Sequence, residues 1–313
     1  MLVLWGNGKR LIAKSISLTK EINNATKIIQ EEKTKVELAN LEIFEQKKQL
    51  EEKHKDITDS INYAKLIQKS ILPNRKDIWD ALPESFILYK PKDIVSGDFY
   101  FFNNEDSVSK VTNKKATFIA VADCTGHGVP GAFMSIIGAT KLSEAIIQST
   151  EPSEILSIVN RGIKTSLKQT DSAESTKDGM DIALCKLDME NNVVIFAGAN
   201  RPFWLIRAGQ TTIEEIGATR KAIGGYTDSN QEFDSHEIKL NKGDTFYIFT
   251  DGYVDQFGGE KGKKLMQKSF KNMLLEIKNK TMFEQKDYLN NFIENWKAGL
   301  EQVDDILVIG IRF

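Results

Sequence analysis

The chain has 313 residues, 41% hydrophobic and 27% charged, with 42 basic against 44 acidic side chains and a net charge of −2. That length allows a large core or a domain with an appendage, and the charge balance offers no bulk attraction for nucleic acid or an anionic membrane. Two cysteines, Cys124 and Cys185, cannot build a disulfide framework and suit a reducing, cytoplasmic setting, while three histidines are too few for a histidine-rich metal site.

No run reaches the roughly 18 apolar residues of a membrane span. Met1–Trp5 is either the anchor of a helix end or the stub of a tether to an upstream sensor or membrane segment. Up to Leu72 there is no proline, and the only glycines are Gly6 and Gly8. Ile22, Ile29, Val36, Ile43, Leu50, Ile57, Ala64 and Ile71 form one apolar column at heptad spacing, which predicts a coiled coil. The flanking columns are mostly polar, including Glu32, Gln46 and Lys53, so the pairing is weak and suits a switchable linker. The competing reading is a single amphipathic helix lying on its own domain; the length of the pattern favours self-association as a homodimer. From Ser60 to Leu72 the apolar stripe broadens, as when a helix docks on a core, and Pro73 ends it. Residues 1–72 are therefore expected to be a helical coiled-coil linker and 73–313 a globular domain.

In that domain strands are expected at 86–89, 99–102, 117–123, 182–187, 193–197, 203–207, 245–251 and 306–313, and helices at 130–148, 153–168, 263–278 and 282–300. The predicted strands outnumber crossover helices, and the 182–207 block alternates like antiparallel hairpins. The class is α+β, a four-layer αββα sandwich with the sheets inside. Residues 169–177 are expected to be a loop, and the glycine-rich 258–263 a flexible one. Pro130 is expected at the first position of its helix. The small residues Gly131, Ala132, Ser135, Gly138 and Ala139 are the expected seat of the linker helix.

Acids recur in one setting, the boundary of an apolar run. Asp98 leads into Phe99-Tyr100, Asp123 ends the run Phe118–Ala122, Asp251 ends Phe246–Thr250, and Asp304 and Asp305 precede Ile306–Gly310. Any one of these suits a turn, but together they suggest carboxylates converging at strand ends. Such a cluster, lacking cationic partners, repels itself unless hard divalent cations sit among it. An oxygen-only donor set points to two Mg²⁺ or Mn²⁺ ions, which activate a water and clamp a phosphoryl group. Gly126-His127-Gly128 is no P-loop, for no Gly-Lys-Ser/Thr follows it. Cys124 lacks the arginine loop of a cysteine phosphatase, and Cys185 alternates within a strand as a buried small hydrophobe.

The stretches SGDFYFF, VADCTGHGVPGAFM, GANRPFW, IFTDGYVDQFGG and DDILVIGI resemble, in this order, the metal-dependent phosphatases of the protein phosphatase 2C superfamily. The bacterial branch named for stage II sporulation protein E is the best match, and the likeness runs from about Ile61 to Phe313. The resemblance implies hydrolysis of phosphoserine or phosphothreonine on a regulatory protein, such as an anti-anti-sigma-like one. It implies that Asp123 bridges both metals with the Cys124 carbonyl on one of them, that Asp251 and Asp304 hold the other, and that Asp98 lies near the second ion. Asp305 is implied as a supporting residue. His127 is displaced in spacing from the histidine proposed as general acid in the eukaryotic branch, so it is either that acid or a turn residue. Asp181 is a strand cap or a supporting or third-metal acid. Lys92 and Arg201 are the nearest basic candidates for binding phosphate. Two rivals to the phosphatase reading are a catalytically silent signalling or dimerisation module and a phosphodiesterase or nucleotide hydrolase; the retained acids disfavour the first, the lack of a base pocket the second.

Overall fold

The computed structural model describes residues 2–104, 116–170, 172 and 175–313, of which 2–7 and 9 are described by backbone alone. The anchor or tether expected of Met1–Trp5 falls outside the described side chains, and the expected loop 169–177 falls partly outside the described residues. The chain divides into two compact units, Met1–Ser60 and Ile61–Phe313.

Helix α1 (Leu2–Ile71) is favoured by its Glu, Lys, Gln and Leu content. Within the first unit Ile22, Ile29, Val36, Ile43, Leu50 and Ile57 are all exposed. The last turns of α1 belong to the second unit. There Ile61 and Ala64 are half-buried, Gln68 is buried and Leu72 packs on the core, while Tyr63, Leu66, Ile67 and Ile71 stay exposed. The docking face is thus 61, 64, 68 and 72, narrower than the broad stripe expected.

The second unit follows as α2 (Arg75–Ala81), β1 (Ser85–Lys90), β2 (Phe99–Asn104), β3 (Thr117–Cys124), α3 (Gly128–Ile146), α4 (Pro152–Ser166), β4 (Gly179–Asp188), β5 (Val193–Ala199) and β6 (Phe203–Ile206). Then come β7 (Glu214–Ile216), β8 (Ile223–Gly224), β9 (His236–Lys239), β10 (Thr245–Phe249), α5 (Gly252–Asp255), β11 (Phe257–Gly258), β12 (Lys263–Lys264), α6 (Met266–Ile277), α7 (Met282–Lys297) and β13 (Ile306–Arg312). One sheet has the order β1-β13-β10-β6-β7 and the other β2-β3-β4-β5-β9, with β8 added beside β4. The αββα sandwich expected from the sequence is the fold observed.

Period-2 alternation assigns the faces. Ile119 and Val121 of β3 join Ile248, Leu307 and Ile309 of the opposite sheet in the central core. Their neighbours Phe118, Ala120 and Ala122 face outward onto Leu142, Ile155 and Val159 of α3 and α4. On the far side Tyr247, Phe249 and Val308 pack on Phe270 and Leu274 of α6 and on Leu289 and Ile293 of α7. With helices covering both outer faces, strands such as β3 are nearly continuous apolar runs.

Three local expectations need correction. Helix α3 begins at Gly128, so Pro130 is its third residue, a position where a missing N–H still costs no hydrogen bond. The glycine-rich 258–263 segment is not free: Phe257–Gly258 pairs with Lys263–Lys264, and a side chain at Gly258 would meet the Trp296 backbone. Of the small residues on α3, Gly138 faces Phe99 and Met180 and Gly131 faces Gly97 and Gly126; Ser135 is the one hydrogen-bonded to the end of α1, through Gln68.

Candidate metal centre

Antiparallel pairing brings the acids together. Phe99 lies opposite Ala122, so Asp98 enters β2 beside the end of β3 where Asp123 stands. Asp123 is in turn directly opposite Asp181 on β4, so Asp181 belongs to the cluster and does not cap its strand, which begins at Gly179. In the other sheet Phe249 pairs with Val308, which puts Asp251, just past β10, next to Asp304 and Asp305, just before β13. The two sheets thus deliver carboxylates to one end of the sandwich.

The result is a cleft of about 250 Å³ lined by Asp123, Cys124, Thr125, His127, Asp181, Arg201, Asp251 and Asp304, among others. The cleft opens to solvent and has room for a phosphoryl group. Asp98 and Asp305 are buried. Asp98 accepts a 2.6 Å hydrogen bond from Thr250 Oγ1. Asp305 accepts from Lys92 N and Gly97 N, both at 2.8 Å, and so ties the loop before β2 to the start of β13.

Glycine is required where three backbones cross. Gly126 has φ +81°, and a Cβ on either Gly97 or Gly131 would fall on its carbonyl oxygen. The turn after Asp123, the loop before Asp98 and the first turn of α3 are therefore in mutual backbone contact.

The acids do have a cationic partner, contrary to expectation. Arg201 Nη2 lies 2.8 Å from Asp123 Oδ2, 2.8 Å from Asp251 Oδ2 and 3.2 Å from Asp181 Oδ2. Even so, burial, opposed by Arg201 and reinforced by the neighbouring carboxylates, pushes Asp123 up to about 7. Burial and Asp123 likewise hold Asp98 well above the carboxylate range, and burial raises Asp181 and Asp304. The cleft carries more negative charge than it neutralises.

A sign follows for the metal-free protein. A carboxyl whose folded pKa exceeds its unfolded value of 3.8 takes up protons on folding, so its stabilisation is present at low pH and lost as pH rises through about 7. Metal-free protein is expected to melt at a lower temperature at about pH 8 than at about pH 6, with Asp123→Asn flattening the slope. Equal melting temperatures for the wild type at the two pH values would contradict this charge excess.

The donor set fits hard divalent cations. Among the described residues no three side chains are already closed into a metal-binding group, but three carboxylates already converge on one guanidinium nitrogen, which stands in for a cation. The Cys124 and Cys185 thiols are buried, which pushes both far above the ordinary thiol range, so neither is a nucleophile.

His127 faces outward at the rim. Its Nδ1 lies 2.6 Å from Asp93 Oδ2 and its Nε2 3.1 Å from Lys92 Nζ. An ammonium can only donate, so Nε2 accepts from Lys92 and Nδ1 carries the proton given to Asp93. Asp93, Thr250, Asn200 and Gln68 were not legible as site residues. Gln68 alone left a signal, a polar residue at the centre of an apolar helix face.

The sequence pattern of the family described as Stage II sporulation protein E (SpoIIE) matches residues 113–313. The chain is 33% identical to the SiaA-PP2C domain of Pseudomonas aeruginosa, with a TM-score of 0.72 over 83% of this chain and 98% of that one. It is 24% identical over 204 residues to phosphoserine phosphatase RsbU of Bacillus subtilis, 64% of this chain but 55% of the relative, so it spans about half of that protein's length. The PP2C phosphatase domain of SpoIIE from Bacillus subtilis, solved with a fragment of its regulatory domain, shares the fold at 17% identity and a TM-score of 0.55, over 74% of this chain and 63% of that one.

Proposed function

The chain belongs to the stage II sporulation protein E family, and from that premise we propose that it is a metal-dependent serine/threonine phosphoprotein phosphatase. The observation that carries this reading is the convergence of Asp123, Asp181, Asp251 and Asp304 from two sheets on one open cleft, with Asp98 buried beside Asp123. A relative named as a phosphoserine phosphatase supports it. Nothing in the geometry favours a silent module, since a cluster of under-neutralised acids is costly to keep.

Asp123 and Asp251, with the Cys124 carbonyl and Asp304, would hold two Mn²⁺ or Mg²⁺ ions, and Asp98 and Asp305 would brace them from behind. The ions would supply an activated water and neutralise charge on the transferring phosphoryl group. Arg201 and Lys92 are the cations this chain itself offers to phosphate oxygens. His127, held by Asp93 on one side and Lys92 on the other, orients Lys92 at the rim. Its accepting Nε2 is not set to donate a proton to a leaving group, so His127→Asn is expected to cost well under the 10²–10⁴-fold of a general acid. The test of the function is hydrolysis of a phosphoserine peptide with Mn²⁺, abolished by chelator, on protein whose mass in solution is measured alongside. Metal-independent turnover, or none at all with Mn²⁺, would refute it.

The substrate is inferred to be a regulatory protein carrying phosphoserine or phosphothreonine. Residues 1–72 are inferred to pair two copies through the exposed column from Ile22 to Ile57 and to regulate the domain 73–313. Gln68 is the means. Its Nε2 donates to Ser96 O at 2.6 Å and to Ser135 Oγ at 2.8 Å, while its Oε1 accepts from Ser96 N at 3.2 Å. Ser96 and Gly97 lead directly to Asp98, so the end of α1 grips the loop that carries a metal-site acid. A cavity of about 780 Å³ lined by Gln68, Leu72, Arg75, Tyr89 and Tyr100, among others, lies beside the helix end. Gln68→Ala, which leaves Ser96 N and O unpaired, is expected to cost about 1–3 kcal/mol of stability and to weaken Mn²⁺ binding. Unchanged Mn²⁺ affinity in calorimetry would remove Gln68 from the regulatory path.

A further inference from the structure

Arg201 is mounted on a rigid support. Asn200, just before it, takes φ +58°. Its backbone N donates to Thr219 O at 2.9 Å and its Nδ2 to Asp181 Oδ1 at 2.8 Å. Arg201 N closes the turn onto Ala199 O at 2.8 Å, and Pro202 follows. The backbone under the side chain is therefore fixed.

The head of the side chain is less well satisfied. Among the described residues Nη2 alone makes the contacts to Asp123, Asp181 and Asp251, and on the same guanidinium Nε is buried with no hydrogen-bond partner. Arginine ordinarily meets a carboxylate through two parallel N–H bonds, and a buried donor left unpaired is uncommon. A single nitrogen shared by three carboxylates behaves as a point cation, held by charge more than by fit. Asp123 and Asp251 are also the carboxylates assigned above to metal. While Arg201 is in place, one oxygen of each is committed to it.

Resting on that assignment, we propose that Arg201 is a tethered counter-cation that competes with divalent metal for Asp123 and Asp251, so that metal enters the cleft only as the guanidinium withdraws. The exchange sets the metal concentration at which the cleft fills. It also keeps the acids compensated when metal is scarce.

Calorimetric titration with Mn²⁺ separates the possibilities, using wild type, Arg201→Gln, Arg201→Lys and Lys92→Met. Competition predicts that Arg201→Gln binds Mn²⁺ about tenfold or more tightly than wild type, with Arg201→Lys between them. Lys92→Met removes the same charge near the rim without freeing any acid oxygen and should change affinity far less. In chelator, Arg201→Gln should melt below wild type, and Mn²⁺ should restore it by more than it raises wild type. If metal-free Arg201→Gln does not fold, the comparison is read on Arg201→Lys. Equal or weaker Mn²⁺ binding in the Arg201 variants, or an equal gain in Lys92→Met, overturns the competition. A wild type that binds no Mn²⁺ overturns instead the metal assignment on which it rests.

Discussion

Asp123→Asn and Asp251→Asn are each expected to reduce Mn²⁺-dependent hydrolysis of a phosphopeptide by more than about a hundredfold, the upper range for losing a residue that merely supports a metal ligand. Asparagine keeps the size of the side chain and one acceptor oxygen but removes the charge. Asp123 lies in the middle of the set, opposite Asp181 on the next strand and beside Asp98, so no neighbouring acid can replace it. Asp305→Asn supplies the contrast. Its two oxygens accept from Lys92 N and Gly97 N, and an amide can accept only one of these bonds, so a loss of about 10–100-fold is expected. Initial rates across a Mn²⁺ titration distinguish the classes: losses at Asp305 should be partly recovered at high metal, those at Asp123 should not. Losses at Asp305 as large as those at Asp123 would mean that the roles of ligand and support are wrongly divided.

The second large effect is structural. In Gly131→Ala the new methyl falls on Gly126 O and lies 2.9 Å from Gly97 Cα. The three atoms nearest to it are all backbone, so no flexible side chain yields there. Overpacking of this kind costs about 3 kcal/mol, which for a domain of this size lowers Tm by roughly 6–12 °C. Two of the three segments in contact carry Asp98 and Asp123, so Mn²⁺ binding should weaken along with stability. Gly217→Ala provides the control: like Gly131 it lies outside the left-handed region, but it has open space around the new methyl. A loss of Tm in Gly131→Ala no larger than in Gly217→Ala would show that the crossing of backbones does not matter.

The large strands and helices were legible because burial on both faces makes them long and apolar, as in Phe118–Ala122 and Ile306–Ile309. The short pieces were not. Strand β7 is Glu214-Glu215-Ile216, exposed at its two glutamates and too brief to show a period. Helix α2 announces itself only through Asn74, whose side chain caps Lys76 N. The acids of the cleft were legible through their shared position at strand ends. Their partner Arg201 was visible only as a basic candidate, because its reach across the cleft depends on how a turn between β5 and β6 is held, and that is fixed by Thr219 and Asp181 from elsewhere in the chain. Gln68 shows in the sequence only as an amide at a position where periodicity predicts an apolar residue, which marks the position without giving its partners.

The sheet order β1-β13-β10 has a consequence for biosynthesis. Strand β13 lies between β1 and β10, yet it follows both in the sequence by many residues. During vectorial synthesis β1 and β10 wait with open edges, and open edges are templates for association with other chains. The same strand delivers Asp304 and Asp305 to the cleft. A nascent chain is thus unable to assemble its acidic cluster until residues 306–312 have left the ribosome, and it is most exposed to aggregation in the interval just before.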